Sequence, residues 1–392
     1  MNLAKAFSRM PGKEVAIVGV GASKFDSTTI GQSYKELTYD AAKKAYSDAG
    51  IDVRNDVGSF VCCAEDFWEG NSISDEYAPD QLGAKLRPLF TVSGDGLLGL
   101  GHAYMHIMAG ISDLVVVESH SKLSDVETKS MVEDLGFDPT FGRMTGVDPK
   151  YLAGLEMRRY LEESGSTVED CASVVVKNCS NALKNPLATY GRDLTKEEVL
   201  ESEEIASPLK KMDVSQPSDG SVVMVLASAA KAKKLSQNLV WISGISWFSD
   251  TPNVEEMDLG QAQYALNSSK KAFQMARILK PAEQFDFAEV DDTYSFKELQ
   301  HIEALGLAKK AGRFVSSGKA DRDGALPINP SGGSLGMGYF VEASGLVRAY
   351  ESVLQLRGEA GKGQLPKASK CVVQSWRGIP TQSGVTAVFS SR

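Results

Sequence analysis

The 392-residue sequence predicts an α/β fold built from two duplicated halves. Three observations carry this. Short, continuous, β-branched apolar runs recur along the chain and read as strands buried on both faces. Glycine-punctuated turns follow several of them and lead into small-residue or amphipathic helical stretches. The segments 89–118 and 326–374 also share one plan (strand, glycine-rich turn, helix, strand), which implies an internal duplication of about five strands per half.

The elements follow in order. Glu14-Val-Ala-Ile-Val-Gly-Val-Gly21 is the first buried strand, and residues 33–49 form an amphipathic helix with Leu37, Ala41, Ala42 and Ala45 on one face, closed by Gly50. Gly58–Cys63 and Leu89–Val92 are further strands; the second runs through Ser93-Gly-Asp-Gly96 into a small-residue helix ending near Gly110. Asp113–Glu118 and Ser221–Ala227 complete the first half. Between them, residues 120–215 turn charged and helical, the pattern of an inserted segment lying over the core. The second half offers strands at 239–244, 285–290, 326–329, 371–374 and 384–389, with helices over 261–279 and 341–357. The implied organisation is a first half at 1–120 and 216–235, an inserted loop domain at 121–215, and a second half at 236–392.

Composition narrows the function classes. A hydrophobic fraction of 42% and a charged fraction of 24% are those of a soluble globular protein. A formal charge of −9 offers no general basic surface to nucleic acid or anionic lipid, although a local basic pocket remains compatible with a phosphorylated ligand. The five cysteines (Cys62, Cys63, Cys171, Cys179, Cys371) are too irregularly spaced for a disulfide framework or a zinc site, which points to the cytoplasm. No apolar run reaches the roughly 18 residues of a membrane span. The first thirteen residues carry three basic groups and no acid, a faint likeness to a transit peptide, but read as a short polar extension.

Each strand–turn–helix junction places a turn at the positive end of a helix dipole, where backbone N–H groups lack partners. In an α/β protein that is a favoured place for a nucleophile or an oxyanion site. His102 and His106 stand four apart on a predicted helix but have no third ligand in the pattern, so no metal site is expected. Cys62 and Cys63 point to opposite faces of a strand, Cys371 reads as core, and the acidic run 197–204 reads as a solvated helix face.

Four stretches, Val15–Phe25, Ser218-Asp-Gly220, Asn329-Pro-Ser-Gly-Gly333 and Gln355–Gly361, resemble motifs of the thiolase superfamily. The nearest branch is the sterol-carrier-type and archaeal thiolases, and the likeness extends over essentially the whole chain. It implies a five-layered αβαβα body of two halves plus a loop domain, assembled as a homodimer or tetramer. It also implies acyl-CoA as substrate, with coenzyme A part of that substrate, no permanently bound cofactor and no metal. The family's chemistry uses a nucleophilic cysteine, a histidine in a GHP loop and, in this branch, an HDCF loop. A thiolate suits this work because it is both a good nucleophile and a good leaving group near neutral pH.

At the matching positions this chain carries other residues. Ser93 occupies the nucleophile position, Asp291-Asp292-Thr293-Tyr294 replaces HDCF, and Gly338-Tyr339-Phe340 replaces GHP. None of the four histidines falls in a matching loop. A serine needs an adjacent general base, and a carboxylate with a pKa of about 4 is a poor one unless burial raises it. Tyr294, Tyr339, Asp291 and Asp292 instead suggest an acid/base set for aldol or retro-aldol chemistry on a CoA thioester. In that set a tyrosine donates to the developing enolate and an aspartate exchanges the proton. The superfamily's steroid side-chain aldolases make the same type of replacement and work with a small OB-fold and zinc-ribbon partner. Gly332, Gly333 and Gly338 are the expected coenzyme A contacts. The alternative is a non-catalytic scaffold subunit beside an active thiolase, with the tyrosines merely filling an emptied site; an acetyl-CoA C-acyltransferase activity would rest on the fold alone, which does not license it.

Overall fold

The structure, a computed structural model, describes residues 14–65, 68, 77–127, 129–235, 238–378 and 382–391. The basic extension at 1–13 lies outside them. The strands in chain order are β1 (Val15–Ala22), β2 (Ser59–Cys63), β3 (Leu89–Val92), β4 (Leu114–Ser121), β5 (Glu204–Ala206), β6 (Leu209–Lys210), β7 (Gly220–Ser228), β8 (Val240–Ser249), β9 (Phe287–Glu289), β10 (Lys370–Arg377) and β11 (Ser383–Ser391). The helices that frame and shape the site are α1 (Tyr34–Ala49), α2 (Gly96–Ala109), α3 (Lys129–Asp134), α4 (Pro149–Ser164), α5 (Val168–Ala182), α6 (Gln263–Ala276), α7 (Ser295–Ala304), α8 (Gly333–Met337) and α9 (Ser344–Arg357).

Local chemistry accounts for the outer layers. Helix α1 begins in a capping box between Ser33 and Glu36 and ends at Gly50 with a left-handed φ of 62°. A Cβ on Gly19 or Gly21 would run into the backbone carbonyls of Ala45 and Ala41, so these glycines let α1 lie directly on β1. The second half repeats the device: Gly244 in β8 faces the backbone of Ala272 in α6.

Nine strands pair in the order β3-β2-β4-β7-β1-β8-β11-β10-β9, with β5 and β6 forming a separate hairpin. The halves meet at β1 and β8, where only Ala16–Trp241 and Ile17–Val240 are in register. Helix α1 packs on β1 and β7, and α6 packs on β8 and β11. Between the two half-sheets, α2 rests on β2 and β4, α9 rests on β10 and β11, and the two helices touch. The result is five layers, αβαβα. Apolar side chains of both half-sheets and both central helices merge in one core that includes Ile17, Leu100, Leu346 and Val373. Among the described residues no helix is long and apolar enough to cross a membrane.

One strand departs from expectation. Residues 326–329 make a single bridge, Ile328 to Ala288, instead of a strand. Pro327 brings no N–H, and Asn329 turns away at a left-handed φ of 50°. The first half thus supplies five strands, while the second supplies four and this bridge. Among the described residues, 122–215 adds no strand to the large sheet; it contributes α3, α4, α5 and the β5–β6 hairpin. Helix α5 packs on α7 and α8 beneath the second half.

Candidate functional site

The turn after β3 places Ser93 on a cavity of about 430 Å³. Gly94 (φ 134°) then leads into Asp95, whose carboxylate accepts from Leu97 N–H at 2.8 Å and caps α2. The same buried carboxylate accepts from Gly345 N–H in α9, also at 2.8 Å. One side chain therefore ties together the starts of the two central helices, one from each half. Burial pushes the Asp95 carboxyl up to about 6.

Tyr294 and Tyr339 reach the same cavity from the second half. Their backbones are pinned by the segment leading into β7. Val214 bridges to Tyr294 and Pro217 to Tyr339. Ser215 N–H donates to Thr293 O at 2.9 Å, Tyr339 N–H to Gln216 O at 2.7 Å, and Ser218 N–H to Tyr339 O at 2.9 Å. Two loops that are remote in sequence are thereby fixed side by side. Tyr294 lies near the rings of Phe296 and Trp376, with centroids 5.9 and 6.1 Å away. Burial raises the ionisation of both phenols above the ordinary tyrosine range, and Arg377 pulls that of Tyr339 back down.

Asp291 and Asp292, expected beside the tyrosines, lie underneath the cavity wall and do not line it. Arg348 of α9 pairs with Asp291 at 2.8 Å and approaches Asp292 at 3.5 Å. Asp292 also accepts from the N–H groups of Ser334 (2.6 Å) and Leu335 (3.1 Å) at the start of α8, and from Asn178 Nδ2 at 2.8 Å. With these partners it anchors the glycine-rich turn, although burial pushes its carboxyl up to about 6. Gly332, Gly333 and Gly338 likewise fall outside the lining residues. A Cβ at Gly333 would strike the Asp292 carboxylate, one at Gly338 would strike the Ser218 hydroxyl, and one at Gly332 would strike Ala182. Close packing, and no ligand seen from the cavity, requires glycine at these three positions.

Other residues take the places the sequence does not mark. Glu65, just past β2, and Arg377, at the end of β10, form an ion pair on the cavity wall, with Arg377 Nε donating to Glu65 Oε1 at 3.0 Å. Arg377 Nη1 donates to the Tyr339 hydroxyl oxygen at 3.3 Å. Glu133 of α3 lines the opposite, loop side; burial raises its carboxyl, while Lys150 and Arg377 act against that rise. Lys129, Lys150 and Lys211 also stand on that side, and Trp68, Ile205, Val214 and Trp376 supply apolar surface. Among the described lining residues there is no cysteine or histidine. All five cysteines are buried and none is in a disulfide. His301 is enclosed between Tyr264 Oη (3.0 Å) and the Asp291 carbonyl (2.9 Å), and burial holds it down to about 3. His102 stacks near Trp247, and His106 Nδ1 meets Ser59 Oγ at 3.0 Å. No group of three metal-ligating side chains occurs among the described residues.

Residues 247–391 match the family described as thiolase C-terminal domain-like. An acetyl-CoA acetyltransferase of Methanothermobacter thermautotrophicus is 31% identical over 364 residues, covering 91% of this chain and 94% of that protein. This chain belongs to the thiolase family. A second relative of this chain is the 17-hydroxy-3-oxo-4-pregnene-20-carboxyl-CoA lyase of Mycobacterium tuberculosis, 28% identical over 94% of this chain and 97% of the lyase. Among solved structures, the Ltp2-ChsH2(DUF35) aldolase superposes with a TM-score of 0.83 at 24% identity, over 97% of this chain and 98% of that one. The relatives of this chain thus include both an acetyl-CoA acetyltransferase and a CoA lyase.

Glu65, Glu133 and Arg377 are among the lining residues that the sequence motifs miss. No local pattern marks them: two sit at strand ends and one on a six-residue helix of the loop region.

Proposed function

We propose that this thiolase-family protein makes or breaks a carbon–carbon bond beside a CoA thioester by aldol or retro-aldol chemistry. The observation that carries the reading is the cavity wall: two phenols, two serines and an Arg–Glu pair, with neither thiol nor imidazole among its described residues. The full-length likeness to a CoA lyase supports the same direction.

In the cleavage direction, Glu133 accepts the β-hydroxyl proton of a β-hydroxyacyl-CoA. The Cα–Cβ bond breaks, the carbonyl product leaves, and the electron pair passes onto the thioester as an enolate. Tyr339 and Tyr294 donate to the enolate oxygen, and the proton returns to Cα to give the shorter acyl-CoA. A carboxyl raised by desolvation is better matched to proton exchange near neutral pH than an ordinary one. Ser93 hydrogen-bonds and does not attack, since among the described lining residues no imidazole stands to deprotonate it. Lys129, Lys150 and Lys211 meet the phosphates of coenzyme A, which enters as part of the substrate.

The reaction is tested with a β-hydroxyacyl-CoA by following release of the carbonyl product. Turnover is expected, with Tyr339→Phe much slower. Release of acetyl-CoA from acetoacetyl-CoA plus CoA, abolished by Ser93→Ala, would overturn the reading in favour of acyl transfer.

The assembly is part of the proposal. A second copy pairs at the open edge of β3, where Phe90 is 46% exposed, giving a cytoplasmic homodimer. A second reading, a scaffold subunit beside an active thiolase or an OB-fold and zinc-ribbon protein, is favoured by exposed Met131, Phe141 and Met144 in the segment that borders the cavity. Stable co-purification with such a partner, without turnover by the isolated chain, would select it.

A further inference from the structure

We infer that Arg377 is a positioning residue: held by Glu65, it takes the lone pair of the Tyr339 hydroxyl and so turns that hydroxyl's own proton toward the cavity. The inference rests on the function proposed above and adds the group that makes Tyr339 a donor.

The argument starts from valence. A phenol has one proton to give and two lone pairs to receive. A guanidinium can only donate. Arg377 Nη1 lies 3.3 Å from the Tyr339 hydroxyl oxygen, so in that contact Tyr339 is the acceptor. Among the described residues no acceptor stands within hydrogen-bond reach of the Tyr339 proton, and the open side of the ring is the cavity. A ligand oxygen placed there is the partner the phenol lacks.

Arginine is suited to this arrangement and lysine is not. One edge of the guanidinium, Nε and Nη2, engages both oxygens of Glu65, which leaves Nη1 for Tyr339. Glu65 is fixed in turn, because its backbone N–H donates to Glu342 Oε1 at 3.0 Å. The chain Glu342–Glu65–Arg377–Tyr339 crosses from the end of β2 in the first half to the end of β10 and the glycine-rich turn in the second. Neither half alone can set the hydroxyl. The charged groups that act on Tyr339 are Arg377 on β10, Glu133 on α3, Asp291 before α7 and Glu342 before α9, and Arg377 is the cation among them.

The test uses two readouts on the full chain. The first places 3-fluorotyrosine at position 339 and follows its ionisation by fluorine NMR, with no substrate present. Arg377→Met is expected to raise the ionisation pH by on the order of one unit, and Arg377→Lys, which keeps the charge, by less than half of that. The second measures β-hydroxyacyl-CoA cleavage. Arg377→Met is expected to lower kcat about tenfold to a hundredfold with KM within about twofold, because the contact matters to the transition state. Arg377→Lys restores part of kcat and not all, for want of the planar fork. An unchanged fluorine titration in Arg377→Met overturns the inference. So does a rise in KM with kcat intact, which would make Arg377 a substrate-binding group. If the wild-type chain cleaves nothing, the aldol reading fails, while the titration still decides whether Arg377 sets the phenol. Should Arg377→Met not fold, Arg377→Lys and Glu65→Gln carry the same comparison with smaller expected losses.

Discussion

Asp292 and Tyr294 stand two residues apart in one loop and belong to different worlds. Asp292 is fully buried and meets two backbone N–H groups, an asparagine amide and the Arg348 guanidinium. Tyr294 starts α7 with no capping bond from its side chain and turns its ring to the cavity. The same contrast runs along the whole wall. Beneath it, Arg348 pairs with Asp291 and Asp292, and Asp292 holds the glycine-rich turn; above it, the phenols face the cavity beside the Arg377–Glu65 pair. The difference separates residues that build the site from residues that can act in it.

The comparison is broken most severely from below. Asp292→Ala strands the Ser334 and Leu335 N–H groups and removes a partner of Arg348. It is expected to cost roughly 3–5 kcal/mol of stability, read as a lowered urea midpoint with unchanged slope. A loss below about 1 kcal/mol would mean that the underside is not what holds the turn. From above, Tyr339→Phe should leave the unfolding curve almost unmoved and lower kcat by about a hundredfold to a thousandfold, the scale of one lost oxyanion donor. If instead it unfolds the protein, the ring is structural and the division fails.

The smallest expected effect sharpens the contrast through pH. Glu351 of α9 is buried, and desolvation pushes its carboxyl up to about 8, with Glu289 close enough to add repulsion. Glu289 is itself pushed up to about 7. Both folded-state values lie above those of the unfolded chain. Their stabilisation is therefore complete in acid, is lost as pH rises from the ordinary carboxylate range through about 8, and changes no further beyond it. Glu351→Gln removes one of these charges and should stabilise by about 1–3 kcal/mol near pH 9 and by nearly nothing near pH 4, followed as Tm against pH. A pH-independent difference would show that Glu351 does not titrate in the fold.

How far the site is legible in the sequence depends on what kind of residue is being read. The loop at 329–340 stands out because glycine, asparagine and serine encode a turn locally, and that at 289–299 because an Asp-Asp-Thr run ends an apolar strand; Tyr339 and Tyr294 ride on these loops, and Ser93 on its own glycine turn, to the cavity. Asp291 and Asp292 look like catalytic acids by the same local rule. Nothing local says that Arg348, more than fifty positions onward, will claim them. The three glycines 332, 333 and 338 suggest room for a ligand, yet the space a side chain would need is filled by Ala182, Asp292 and Ser218. Glu133 and Arg377 carry no signal at all, because a single charged residue at an element end is common and only its neighbours in space distinguish it.

By itself the sequence determined the order of most strands and helices and the repeated plan of the two halves. These follow from hydrophobic period, turn chemistry and steric size, which act over a few residues. Only the tertiary structure decided which face of each loop looks into the cavity, that Asp95 straps the two central helices, and that Glu65 and Arg377 meet beside Tyr339. Those outcomes depend on how two half-sheets, joined through two residue pairs of β1 and β8, lay remote loops against one another. Burial and charge partnership are set by that approach, so no window of neighbouring residues contains them.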